Sequence, residues 1–324
     1  MQLPNTEPTL TQVRHQFPIV DTDIYFDSAG VSPLSIAAER AASAVLNSRM
    51  KQGKLGIKSH ATQVVEGCRT QLAKLLSVSS DNIALTANTT QGLNQIALGL
   101  KWRPGDEILL PDNEFPANQY PWLALQRRGV KIIRFPVDNG KFSPQQLRPL
   151  FTSRTRLLAI SHVGYATGFT ADLAGFGELC HRHQAAFIVD AAQSLGAVPI
   201  DPKLYGISAL AAPAWKWLLG LVGHGLLYCE SNFIEQLAPS SVGVASVALS
   251  ERETPQWPCA WARGARRFEC SSLETATKPI LHTKVPAHSS TEPIVVIPTL
   301  KARPIGNLSG WWQWYRQLPS CQTD

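Results

Sequence analysis

The chain has 324 residues, with 30 Lys and Arg against 24 Asp and Glu for a net charge of +6, and 44% of its residues are hydrophobic against 17% charged. That supply of apolar side chains excludes global disorder and suits one large or two ordinary domains. The positive surplus is mild, and with no basic run longer than two and no aromatic-basic repeat it argues against a nucleic-acid surface.

The amino terminus, MQLPNTEPTLTQVRHQFPIV, has no basic start, apolar run and small-residue cleavage site in succession, so no secretory signal is expected and residues 1–24 read as an arm. Leu34 to Met50 and Thr62 to Leu76 read as two helices outside the main sheet, separated by the Gly- and Lys-rich bend Lys51 to Lys58. From residue 81, short apolar runs alternate with helix-length amphipathic segments, the pattern of a parallel sheet with helices on both faces. The predicted strands are Ile83 to Ala87, Glu107 to Pro111, Lys131 to Val137, Arg156 to Val163, Ala185 to Ala192, Ile207 to Ala212 and Gly225 to Cys229. Helices are predicted over Gly92 to Leu100, Asn118 to Arg128, and Asp172 to His183 behind the capping residues Thr170 and Asp172. The fold class is therefore α/β: a mostly parallel seven-stranded sheet covered by helices in a large domain over residues 25–245.

Ile207 to Cys229 is apolar enough to imitate a membrane span, but Lys216 at its centre and Pro213, Gly220, Gly223 and Gly225 argue for buried strands flanking a functional lysine, and no membrane partner is expected. Residues 246–324 hold 8 of the 23 prolines and 5 of the 9 tryptophans without sustained periodicity, which predicts a loosely structured remnant. Six scattered Cys with no CxxC pair indicate neither a disulfide framework nor a thiolate zinc site, and fit a reducing cytoplasm.

Three features stand at the carboxyl ends of predicted strands, where open α/β sheets place ligand sites. At the first, Asn88-Thr89-Thr90-Gln91-Gly92, a strand gives way to a helix. Free amides and two hydroxyls there suit a phosphate, and an ordinary N-cap made by Thr89 or Thr90 is the bland alternative. At the second, Asp190 ends the apolar run Phe187-Ile188-Val189, so its desolvated carboxylate needs a cation such as a protonated ring nitrogen. Sugar-hydroxyl binding, metal binding or capping would use such a residue equally. Gln193, three residues on, has an amide able to donate to a phenolic oxygen, unless it is a surface glutamine. At the third, Lys216 lies between Trp215 and Trp217 with Leu218 and Leu219 following, surroundings that favour the neutral, nucleophilic amine over a snorkelling ammonium.

The segment DAAQSLGAVPIDPKLYGISALAAPAWKWLLGLVGHG, from Asp190 to Gly225, resembles the class V aminotransferase family of fold-type I pyridoxal phosphate enzymes, which includes cysteine desulfurases, isopenicillin N epimerase and kynureninase. Tyr25-Phe26-Asp27-Ser28-Ala29-Gly30 with Pro33, TANTTQGLNQIALGL, GDEILLPDNEFPANQYPWLAL and SHVGYATG agree in order, and together they cover Phe17 to Glu269. The resemblance implies pyridoxal 5'-phosphate as cofactor, an amino acid as substrate and a homodimer. It implies Lys216 as the lysine that forms the internal aldimine and moves protons at the substrate carbon. Asp190 would then pair with the pyridinium nitrogen and Gln193 would contact the ring oxygen. Thr89 and Thr90 match the phosphate turn, Phe115 the residue stacked on the ring, Ala29 and Gly30 the turn lining the substrate side, and Ser272 a residue reaching the partner subunit's phosphate.

Departures bear on the chemistry. Trp215 and Pro213 replace a histidine or tyrosine and a serine usual near the lysine, Tyr165 replaces an asparagine, and Phe115, unlike histidine, cannot exchange protons. The likeness fades after Arg266 to Ser272, where the family's second domain normally begins, so the resemblance implies an incomplete second domain and a chain truncated or altered after about residue 277. No arginine matches the one that clamps the substrate carboxylate, Arg303 and Arg316 being candidates by position alone. No segment matches the loop that carries a desulfurase's cysteine, and Cys321 reads as incidental. Transaminase, epimerase or lyase-type chemistry is expected, with a catalytically impaired cofactor-domain remnant as the alternative.

Overall fold

Seven strands form one sheet in the computed structural model, which describes residues 10–53, 61–248, 250, 255 and 257–270. They are β1 (Ile83–Thr86), β2 (Glu107–Pro111), β3 (Lys131–Phe135), β4 (Thr155–Ser161), β5 (Ala186–Asp190), β6 (Ala209–Pro213) and β7 (Gly225–Cys229). Their order is β1-β7-β6-β5-β4-β2-β3. Pairs β2–β3, β2–β4, β4–β5 and β5–β6 are parallel, and β7 runs antiparallel to both neighbours, β1 and β6. Every residue of β1, β2, β6 and β7 is buried, as expected of strands covered on both faces. The apolar stretch around Lys216 is thus two core strands and their connection.

Two apolar cores lie on the two faces. One packs Leu158, Ile160, Phe187 and Val189 against Phe176 and Leu179, and the other packs Leu157, Ala159 and Ile188 with Leu93, Ile96 and Trp122. Four helices of ten residues or more occur among the described residues: α1 (Ile36–Gln52), α2 (Ala61–Leu75), α3 (Thr89–Gly99) and α4 (Leu173–Arg182). Side-chain caps start three of them. Ser35 accepts Ala38 N–H, Asn88 accepts Gln91 N–H and Asp172 accepts Gly175 N–H, each satisfying an amide that the first helical turn leaves unpaired.

Two expectations change. The α3 cap is Asn88, not Thr89 or Thr90, because the Asn88 backbone is still extended while both threonines are already helical. The helix predicted over Asn118 to Arg128 is instead one α-helical turn, Tyr120–Leu123, with Pro121 in its first positions, running on into the 3-10 turn Ala124–Arg128, and a separate 3-10 turn Pro116–Asn118 precedes it.

The edge strand β1 is closed by an ion pair. Arg69 of α2 donates to Ile83 O at 2.7 Å, while Glu269 Oε1 accepts Leu85 N–H at 2.7 Å, and the two side chains meet at 2.6 Å. Both are buried, and a further pair, Glu66 with Arg266, fastens the segment after residue 263 to the same helix. Burial works to lower the Arg69 pKa, but Glu269 and Glu66 together more than offset it, so the guanidinium stays charged. No helix among the described residues is long and apolar enough to cross a membrane. Ser272, Arg303, Arg316, Cys321 and the tail beyond residue 270 lie outside the described residues.

Candidate active site

Asp190 is the last residue of β5 and lies beside Ser161 at the end of β4, so their side chains share a sheet face. Asp190 is buried; its Oδ1 accepts Ala192 N–H at 2.8 Å, while its other oxygen accepts no hydrogen bond from the described residues. Burial, and then the nearness of Glu114, push its pKa up to about 7, against the opposing pull of the Ala192 amide and Lys216.

Sequence reasoning missed Glu114. It follows β2, is buried, and accepts Ser161 N–H at 2.6 Å with one oxygen and the Ser161 hydroxyl with the other. Burial raises its pKa too, although these hydrogen bonds resist. No local pattern marks it, because its neighbour Asp190 is reached only through the β4–β5 register.

Lys216 follows β6 on a tight loop. Ala214 N–H bonds His224 O at 2.7 Å, Gly220 N–H bonds Ala214 O at 2.7 Å and Leu219 N–H bonds Lys216 O at 3.0 Å. Leu219 is held at φ 57°, a left-handed conformation that costs an ordinary residue free energy and needs the surrounding loop to maintain it. Burial lowers the Lys216 pKa, partly offset by Asp190 and by Asp27 of the amino-terminal turn. Its Nζ lies 5.7 Å from the Phe115 ring centroid. Phe115 in turn meets Tyr165 edge-on, centroids 5.2 Å apart, both rings half-exposed.

The first turn of α3 abuts the same strands: Gly92 packs against Ala211 of β6, and Asn88 against Gly225 of β7. Thr89 is buried and Thr90 exposed, so the two hydroxyls are not an equivalent pair. Their backbone amides, at the first two helical positions, have no intrahelical acceptor and face outward at the positive end of the helix. Gln193 has both ends of its amide engaged. Its Nε2 donates to Ala29 O and its Oε1 accepts the Trp217 indole N–H, both at 3.0 Å.

Lys216, Asp190 and Phe115 thus converge, with a helix N-terminus on a neighbouring strand end. An amine of lowered pKa, a buried carboxyl with one oxygen free of the described donors and a flat apolar face fit an aldehyde-bearing, cationic aromatic ring with a phosphate. Among the described residues no group of His, Cys, Asp and Glu is placed to hold a metal ion.

A family model, aminotransferase class-V, matches residues 24–270. A probable cysteine desulfurase of Methanothermobacter thermautotrophicus is 32% identical over 239 residues, 72% of this chain and 60% of that protein. A cysteine desulfurase of Klebsiella pneumoniae is 30% identical over 287 residues, 82% of this chain and 68% of that protein. Among solved structures, a mutant of C-DES with glycine covalently linked to the PLP cofactor superposes with a TM-score of 0.76 at 30% identity, covering 83% of this chain and 71% of that one. The cysteine desulfurase CsdA of Escherichia coli gives the same TM-score at 26% identity, covering 86% and 71%. The chain therefore spans between three fifths and about seven tenths of the length of these proteins.

Proposed function

The chain belongs to the class-V aminotransferase family, and from that premise we propose that it is a pyridoxal phosphate enzyme acting on an amino acid, with Lys216 as the amine that carries the cofactor. The observation that supports this most is the placing of Lys216 Nζ 5.7 Å from the Phe115 ring centroid, on the loop after β6, with the buried Asp190 at the end of the neighbouring strand β5. When bound, pyridoxal phosphate supplies an electron-withdrawing ring that weakens a bond at the amino-acid α-carbon.

The chain's own residues would then divide the work. Asp190 supplies the negative charge that keeps a proton on a ring nitrogen, in surroundings where water does not weaken the pairing. The amides of Thr89 and Thr90, with the Thr90 hydroxyl, hold a phosphate at the α3 terminus. Phe115 offers a stacking face and no exchangeable proton, which leaves Lys216 Nζ to take up or return a proton at the α-carbon. Ala29 and Gly30 border the substrate side, and Gln193, engaged with Ala29 and Trp217, has one remaining amide hydrogen for a ring oxygen. Transamination, epimerisation or lyase chemistry is open to such a set. A homodimer in a reducing cytoplasm completes the reading.

A second reading is favoured by the family match ending at residue 270 and by the coverage of 60% of the Methanothermobacter relative. On it, the 324 residues bind cofactor without turning over an amino acid. Incubating the loaded protein with individual amino acids and assaying keto acid, ammonia, sulfide and inverted enantiomer separates the two: product with any amino acid, lost in Lys216→Ala, supports the enzyme. A cofactor absorbance band with no product from any amino acid supports the second reading.

A further inference from the structure

The amino-terminal turn and the Lys216 loop are far apart in sequence but joined by two links that bracket the lysine. On one side, Ser32 N–H donates to Trp215 O at 2.8 Å. On the other, the Gln193 amide is used at both ends, Nε2 donating to Ala29 O and Oε1 accepting Trp217 Nε1–H. The loop they grip cannot easily yield. Gly196, at φ 100°, lies so close to the Trp217 carbonyl that a β-carbon would not fit, and Leu219 is already in a left-handed conformation. The turn itself is braced by Asp27, whose carboxylate accepts Gly30 N–H at 3.1 Å, and by the Tyr25 hydroxyl on Val31 O. Gln193 is thus the bridge between a rigid loop and a turn that is exposed for much of its length.

We propose that Gln193 is a positioning residue that couples residues 27–32 to the Lys216 loop, so that its side-chain amide, alongside the Ser32–Trp215 backbone bond, holds the outer wall of the site in register with the amine. Only the purpose of this coupling rests on the function proposed above; the coupling is a property of the folded chain. A primary amide is the group that can both donate to Ala29 and accept from Trp217. Glutamate retains the acceptor and loses the donor, leucine loses both, and Trp217→Phe removes the indole donor while keeping an aromatic ring.

The test is hydrogen exchange by mass spectrometry on the full chain with no cofactor added, comparing residues 27–32 with the core strand 186–190. The Trp217 indole N–H resonance is followed alongside and assigned by its loss in Trp217→Phe. Gln193→Leu and Gln193→Glu are expected to speed exchange in 27–32 roughly 5- to 10-fold, the worth of about one hydrogen bond, with 186–190 unchanged. Trp217→Phe is expected to speed exchange in the same turn, although Trp217 donates no bond to it, because its effect passes through Gln193. The indole resonance should stay in place in Gln193→Glu and move in Gln193→Leu. Unchanged exchange in 27–32 for the Gln193 variants or for Trp217→Phe overturns the coupling, and so does a uniform rise that includes 186–190. Failure of the chain to take up pyridoxal phosphate would count against the proposed function while leaving these exchange rates to judge the coupling.

Discussion

Asp190 and Glu114 are both buried near the half-buried Lys216, and each has its pKa pushed upward, Asp190 to about 7 from the ordinary 3.8. For Asp190 the sign follows directly. Between these two values the unfolded chain has released a proton that the folded chain retains, so folding stability falls as pH rises through this window, by up to about 1.4 kcal/mol per pH unit. Urea midpoints measured without added cofactor should therefore decline between pH 4.5 and 7 more steeply in the parent than in Asp190→Asn. Equal slopes would mean that Asp190 is not buried as described. Glu114→Gln removes the neighbouring negative charge while keeping the shape, and should bring the Asp190 titration to lower pH in the same measurement. This carboxyl pair shows where sequence reading stops. Asp190 was legible because an acid ends a run of Phe, Ile and Val, and Lys216 because tryptophans and leucines surround it. Glu114 was not, since its partner lies on a different strand and is met through the register of Ser161 with Asp190.

At the scale of the elements, the strands were legible because most are short runs buried on both faces, while the edge strand β3 still shows as Ile132, Ile133 and Phe135 between exposed Lys131 and Arg134. Boundaries set by competing caps were less so: Asn88, Thr89 and Thr90 can all cap a helix, and packing of the first turn against β6 and β7 decides for Asn88. Asn88→Ala should cost about 1 kcal/mol of stability by denaturant titration, whereas Thr90→Ala, at an exposed helical position, should cost much less. The closure of β1 depends on a contact between residues 69 and 269 that no local pattern announces. Removing one partner leaves a buried charge facing an unpaired strand edge, so Arg69→Met should destabilise by about 3–5 kcal/mol. Loss below 1 kcal/mol in the urea midpoint would show that the segment after residue 263 contributes little to the fold.

Over the whole molecule, the proposed function requires four chain segments to meet at one rim of the sheet: the turn at 27–32, the start of α3, the end of β5 and the loop after β6. The chain order of those segments was visible in the sequence; their mutual bracing through Gln193 was not, because a glutamine amide carries no signal of its partners. Apolar side chains at Ile24, Phe26, Leu46 and Met50 stand exposed on the amino-terminal part. If these side chains close a homodimer, sedimentation velocity should return twice the 35.4 kDa chain mass, and charged substitutions at Phe26 and Leu46 should return the single mass. The central claim is chemical and is tested by fixing the cofactor in place: incubate with pyridoxal phosphate, reduce with borohydride, digest, and locate the added phosphopyridoxyl mass. The expected result is stoichiometric label on the peptide carrying Lys216, abolished by Lys216→Ala; label scattered over surface lysines, or absent from that peptide, would contradict it.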